Sequence, residues 1–183
     1  MQMTDLDMKK LVSAAIEETL KEEIKRILQR DISDLGIPAQ QVTLKVKKLH
    51  PDARLPVYGT DGAACFDLAA LEGADIAAHS SAVIRTALTF EIPEGHVMLI
   101  FSRSGHGFKN NIRLANCVGV IDADYRGEVM VKLTSDLSPF RVEPGDRIAQ
   151  AMVIPFPRVL FDEVEELSST ERGEGGFGST GVK

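Results

Sequence analysis

Along residues 4–30 apolar side chains return every three or four positions: Met8, Leu11, Val12, Ala15, Ile16, Leu20, Ile24, Ile27 and Leu28, with Lys and Glu between them. That spacing predicts an amphipathic helix. Thr4 or Asp5 supplies a cap for its start, and Gly36-Ile37-Pro38 follows its end. Such a helix either packs on its own domain or meets a copy of itself or a partner. After Pro38 the period changes to two. Val42, Leu44 and Val46 alternate with Thr43, Lys45 and Lys47; Ile84, Thr86, Leu88, Phe90 and Ile92 alternate again; Val129, Val131 and Leu133 do so against Met130 and Lys132. His96–Phe101, Ile148–Ile154 and Val159–Val164 are further short apolar runs. Turn signals at residues 58–62, 93–95, 135–139 and 144–146 separate them. Many short strands without intervening helices predict an all-β sandwich, jelly roll or barrel carrying an added N-terminal α-helix. Arg172–Lys183 is too rich in glycine to hold structure unaided.

Length and composition narrow the class. At 183 residues the chain can bury a real core without staples. Its net charge of −6 is unevenly spread: residues 1–41 carry 6 basic and 8 acidic groups, residues 42–160 carry 13 of each, and residues 161–183 carry 2 and 6. The middle is therefore neutral, without the basic face that a coat on DNA or RNA needs. Cys65 and Cys117 stand alone in apolar stretches, which supports neither a disulfide framework nor a zinc ribbon. His50, His79, His96 and His106 are scattered, which disfavours zinc peptidases and zinc deaminases. No apolar run approaches the length of a membrane span, and no secretory or transit pattern opens the chain, so a cytoplasmic location is expected.

Three stretches carry candidate chemistry. In residues 116–128 an apolar run ends in Asp122, Asp124, Tyr125 and Arg126, then resumes as a strand. A carboxylate on such a hairpin can hold and polarise a water, although a solvated hairpin tip has the same composition. Ser102-Arg103-Ser104-Gly105-His106-Gly107 joins hydroxyls, a cation and glycine backbone as a phosphate cradle would, and so do ordinary turns. Residues 172–181 set Arg172, Phe177, Ser179 and Thr180 in glycine: a free tail, or an arm that folds over a nucleotide.

Taken together, these stretches resemble the trimeric dUTPase (dUTP diphosphatase) family. Its five motifs correspond, in order, to residues 64–70, Arg103-Ser104-Gly105, residues 119–127, Asp146-Arg147-Ile148-Ala149-Gln150 and residues 172–181. The third and fifth are the specific ones, and residues 1–41 have no counterpart in the minimal family pattern. The apolar period and the resemblance together imply three parts: from the period an N-terminal helical extension (1–41), and from the resemblance a jelly-roll catalytic domain (42–165) and a flexible glycine-rich arm (166–183) that closes over the active site. It implies a homotrimer with shared active sites that hydrolyses dUTP to dUMP and pyrophosphate with Mg²⁺. That reaction limits uracil incorporation into DNA and supplies dUMP for thymidylate synthesis.

By the same resemblance, Asp122 activates the water that attacks the α-phosphorus in line, and Asp67 reaches the metal through water. Arg103, Ser104, Gly105 and Gln150 hold phosphates. Asn116, Gly119, Val120 and Ile121 read the uracil edge, and Tyr125 packs under the sugar. In the arm, Arg172, Gly178, Ser179 and Thr180 bind the γ end while Phe177 covers the base. Cys65, Ser102, His106 and Phe108 depart from the usual pattern. A dCTP deaminase-type enzyme of the same fold is the sister reading, disfavoured by the form of the hairpin. A dUTP-sensing regulatory protein that contacts a partner through the N-terminal helix is the reading from another class.

Overall fold

The computed structural model describes residues 18–21, 41–176 and 179. Residues 1–43 and 44–183 form two compact units. In the first, α1 covers residues 18–21, inside the stretch whose apolar stripe predicts a helix. The rest of that stretch lies outside the described residues.

Among the described residues the second unit holds twelve strands and one short helix, α2 (Ser104–Asn110). β1 (Lys45–Lys48) pairs with β6 (Leu88–Glu91), and β4 (Ala74–Ile76) with β11 (Phe140–Val142). β10 (Met130–Ser135) lies between β5 (Ser81–Arg85) and β8 (Ile112–Leu114). The largest sheet runs β2 (Val57–Tyr58), β3 (Phe66–Ala69), β12 (Arg147–Pro155), β7 (His96–Phe101), β9 (Val118–Ile121). Every pairing is antiparallel, and most neighbours are distant in sequence. This is the all-β architecture that the short alternating runs predict, in the jelly-roll form that the resemblance implies.

The alternation explains the core. On β10, Val131, Leu133 and Ser135 are buried while Met130 and Lys132 are exposed, as a period of two requires. On β7, Met98 and Ile100 point inward and meet Ala151 and Val153 of β12 across the ladder. Leu68, Ile84, Leu88, Ile112 and Ile148 complete a single cluster between the sheets.

Two runs behave differently from the prediction. The alternating stretch from Ile84 to Ile92 is not one strand. It breaks at Thr86-Ala87, so that β5 joins β10 while β6 joins β1. All its alternate residues are buried, since the chain rounds a corner of the barrel without leaving the core. The corner is fixed by Thr86, whose hydroxyl donates to the Val129 carbonyl at 2.6 Å and accepts from the Leu88 N–H at 3.2 Å, and by Ala87 in the left-handed region at φ 51°. Val159–Val164 forms no strand either. Leu160 and Phe161 are 92% and 96% exposed, and no strand among the described residues pairs with them. Beyond them, residues 170–176 form a series of turns closed by Gly173 N–H on the Thr170 carbonyl at 3.1 Å and Gly175 N–H on the Arg172 carbonyl at 3.1 Å.

Thr86→Val keeps the shape of the corner and strips both hydrogen bonds. It is expected to lower stability by about 1–3 kcal/mol in denaturant unfolding, while Thr86→Ser retains most of it. An unchanged midpoint in Thr86→Val would show that the corner does not depend on the hydroxyl.

Candidate active site

The register of the largest sheet puts one row of side chains on its outer face. Asp67 of β3 stands opposite Gln150 of β12, Gln150 opposite Phe101 of β7, and Phe101 opposite Val118 of β9. Their neighbours Phe66, Ala151 and Ile100 face the core from the other side of the sheet. Asp67 is only 9% exposed despite its outward position, because two guanidinium groups cover it. Arg103 Nε lies 2.8 Å from Oδ1 and Arg147 Nη1 lies 3.0 Å from Oδ2. Arg103 also donates to the Arg147 carbonyl at 3.0 Å. One carboxylate between two cations leaves an excess positive charge and fixes the direction of both forks, which suits them to an anion.

Arg147 is absent from the predicted site residues, and a bulge explains why. A strand without irregularity would send Arg147, three positions from Gln150, to the opposite face. The register shift between Arg147 and Ala149 places Arg147 opposite Ala69, on the face of Asp67. Its place in Asp146-Arg147-Ile148-Ala149-Gln150 was the only available signal.

The loop after β7 is also tied to this row. Gln150 Nε2 donates to the Ser102 carbonyl at 3.0 Å, and the Ser102 hydroxyl accepts the Leu114 N–H at 2.9 Å. Instead of a loose glycine turn, Ser104 opens the seven-residue α2. The amides of Ser104 and Gly105, first in the helix, have no partner within it. His106 holds the Arg147 carbonyl at 2.9 Å and sets its ring edge-on to Phe140, 5.4 Å away. Burial, and then the charge of Asp67, push the Cys65 thiol above its ordinary value, which keeps it protonated.

A second set of predicted residues gathers at the β9 hairpin. Asn116 Nδ2 donates to the Val118 carbonyl at 3.3 Å across Cys117, which is left-handed at φ 62°. Gly119 permits the close approach of β9 to β7, since a Cβ there would lie 3.1 Å from Ile100 Cβ. Asn116, Gly119, Val120 and Ile121 line a hollow of about 310 Å³ backed by Leu114 and Lys132. Asp122, Tyr125 and Glu128 line an adjoining hollow of about 220 Å³ that shares Val120 and Ile121. Asp122 is exposed at the head of the loop, and its carbonyl accepts the Tyr125 N–H at 3.2 Å. The Tyr125 hydroxyl donates to the Glu128 carbonyl at 3.1 Å, and the ring fills the space that a Cβ at Gly127 would need.

The two sets do not meet within one chain. Asp67 and Val118 are three strands apart, about 14 Å, and Asp122 lies four residues beyond Val118, just past the end of β9, about 13 Å on. Asp67 and Asp122 are therefore separated by about 20 Å across the sheet. In the arm, Arg172 Nε donates to the Gly175 carbonyl at 2.8 Å, and Arg172 and Ser179 border a hollow of their own. Phe177, Gly178 and Thr180 lie outside the described residues. Among the described residues no three His, Cys, Asp or Glu side chains converge as a metal cage, and no helix is long and apolar enough to cross a membrane.

Comparison with known proteins matches residues 52–181 to the dUTPase family model. The deoxyuridine 5'-triphosphate nucleotidohydrolase of Nautilia profundicola is 47% identical over 139 residues, spanning 75% of this chain and 98% of that protein. Its namesake from Thermobifida fusca is 39% identical over 152 residues, spanning 82% and 85%. Among solved structures, a substituted dUTPase of Staphylococcus bacteriophage 80alpha with dUpNHpp superposes with a TM-score of 0.71 at 32% identity, covering 76% of this chain and 99% of that one. A substituted dUTPase from phage phi11 of S. aureus, described for its coordination of a structural Mg(II) ion, gives 0.63 at 28% identity, covering 68% and 97%. With the family model matched along most of its length and relatives of this identity aligned nearly end to end, the chain belongs to the dUTPase family, the nucleotidohydrolases that act on dUTP.

Proposed function

We propose that the chain hydrolyses dUTP to dUMP and pyrophosphate in sites shared between copies of a homotrimer. The observation that carries this is the separation of the two half-sites. A phosphate group on Arg103 and Arg147 lies far beyond the reach of a water on Asp122 of the same chain, whereas a second copy can bring its hairpin to the cluster. Residues 42–165 act as the catalytic domain, 166–183 as the closing arm, and 1–41 as an extension available for self-association or a partner. The work is done in the cytoplasm, where it keeps uracil out of DNA and supplies dUMP for thymidylate synthesis.

Each residue has a physical task. Asn116 and the backbone of Gly119, Val120 and Ile121 receive the uracil edge. Cytosine would leave buried donors and acceptors unpaired there, and thymine would add a methyl against the wall. The Tyr125 ring supports the sugar on the side where a 2′-hydroxyl would project. Arg103, the amides of Ser104 and Gly105, and Gln150 fix the phosphates, with Arg147 added to them by its place on Asp67. The Asp122 carboxylate orients a water opposite the leaving pyrophosphate and takes its proton as the oxygen approaches the α-phosphorus. Positioning and charge neutralisation supply most of the rate in such displacements. Arg172, Gly178, Ser179 and Thr180 close on the γ end and Phe177 covers the base, excluding solvent.

The donor set suits a Mg²⁺ ion carried in on the triphosphate. The described residues offer no all-protein cage, and Asp67 spends part of each oxygen on an arginine while keeping lone pairs for a metal-bound water. When bound, the ion neutralises phosphate charge and helps to align the triphosphate.

With Mg²⁺ present, the protein is expected to release pyrophosphate from dUTP about 10⁴ times more efficiently than from dCTP. dTTP and UTP are also expected to be poor substrates. Asp122→Asn should lower kcat by about 10²–10⁴ with little change in dUTP affinity by calorimetry. Comparable turnover in that variant would remove Asp122 from its role. Truncation before Arg172 should reduce kcat by about 10² or more with the melting temperature unchanged. Full activity in the truncated protein would deny the arm a catalytic part.

A further inference from the structure

The loop that carries Asp122 and Tyr125 is held from behind by a set of contacts that the reaction itself does not use. Its return limb, residues 126–129, lies against the corner between β5 and β6. Arg85 grips the Glu128 carboxylate as a fork, with Nε 3.1 Å and Nη2 3.1 Å from Oε2. The Ala87 N–H donates to Glu128 Oε1 at 2.8 Å. Around this centre the Thr89 hydroxyl donates to the Arg126 carbonyl at 2.8 Å, and the Val129 N–H to the Leu88 carbonyl at 2.8 Å.

Glu128 is the member of this set that faces both ways. Its side chain is 15% exposed and borders the hollow of Asp122 and Tyr125, while its two oxygens are taken up by the corner. Ala87 is fully buried and left-handed at φ 51°, a backbone state that alanine occupies only under constraint. That state turns its N–H toward Glu128. On the other side, the Glu128 carbonyl accepts the Tyr125 hydroxyl, and the Tyr125 N–H closes the turn onto Asp122. A side-chain clamp on the strand side thus fixes the backbone atom on which the sugar-facing ring depends.

We infer that Glu128, clamped by Arg85 and the Ala87 amide, is a positioning residue for the reaction. It sets the height of the Tyr125 ring under the sugar, and through the Tyr125–Asp122 turn it sets the carboxylate that holds the water. The inference rests on the roles proposed above for Asp122 and Tyr125. It adds that discrimination between deoxyribose and ribose originates partly in an ion pair whose charged groups face the corner behind the hairpin. Loosening the clamp lets the ring drop and opens room for a 2′-hydroxyl, so selectivity and kcat fall together while uracil recognition on β9 persists. An ion pair with only a structural role would lower the melting temperature and leave selectivity alone.

The test is steady-state pyrophosphate release from dUTP and from UTP, with thermal melting recorded on the same full-length samples. Glu128→Ala is expected to lower kcat for dUTP about 30–100-fold with KM within a few-fold, since misplacement of about 1 Å has effects of that order. The ratio of kcat/KM for dUTP over UTP should fall at least about 10-fold. Glu128→Gln, which keeps an acceptor for the Ala87 amide, should recover most of both. If Glu128→Ala does not fold, Arg85→Ala replaces it: the amide contact survives, and the ratio should still fall about 3-fold or more. Ile76→Val on β4, remote from the hairpin, should lower the melting temperature and leave the ratio at the wild-type value. A folded Glu128→Ala or Arg85→Ala with wild-type selectivity would overturn the inference. Wild-type protein that fails to prefer dUTP would instead overturn the proposed function itself.

Discussion

One buried carboxylate shared by two arginines organises the phosphate side of this molecule. Asp67 would be costly to place under protein cover alone, and Arg103 and Arg147 would repel one another without it. Held together, the three groups make a rigid, net positive face with no folding work left for the moment of binding. Everything around them serves that geometry: the β3–β12–β7 register, the bulge after Arg147, the Ser102 and Gln150 tie, and His106 on the Arg147 carbonyl. The net −6 of the chain is irrelevant at this scale, because local placement decides whether an anion is welcomed.

The hairpin is built on a different principle. It carries Asp122 exposed, with few ionic contacts, and obtains its order from backbone turns and from the corner behind it. A rigid cationic cluster and a hairpin about 20 Å away are poor neighbours for a single triphosphate within one chain. They become good neighbours if each belongs to a different copy, as in the proposed assembly. The apolar side chains of Val159, Leu160, Phe161, Val164 and Leu167 are exposed and pair with no strand among the described residues.

Much of this was legible in the sequence. The period of two on β10 and the short apolar runs of β7 and β12 marked strands with nearly the right bounds, since each has residues in the core. Alternation could not reveal the break at Thr86-Ala87, where both halves stay buried and only a hydroxyl and a left-handed alanine mark the corner. Nor could it place Val159–Val164, because an apolar pattern reports a need for burial and not the partner that supplies it. Asp67, Arg103, Gln150 and the hairpin were visible through their motifs. Arg147 and Glu128 were hidden because their partners lie 80 and 43 residues away, and in the first case a bulge also inverts the expected face.

The most direct measurement of the shared site mixes two inactive variants. Asp122→Asn removes the water-activating carboxylate from one half-site, and Arg103→Ala weakens the other. If sites join halves from different copies, random reassembly of equal amounts should restore activity in about a quarter of all sites, because each site draws its halves independently. Restoration to about that level would support sites built between copies. A mixture as inactive as either variant alone, in trimers shown to exchange subunits, would contradict it and return both half-sites to a single chain.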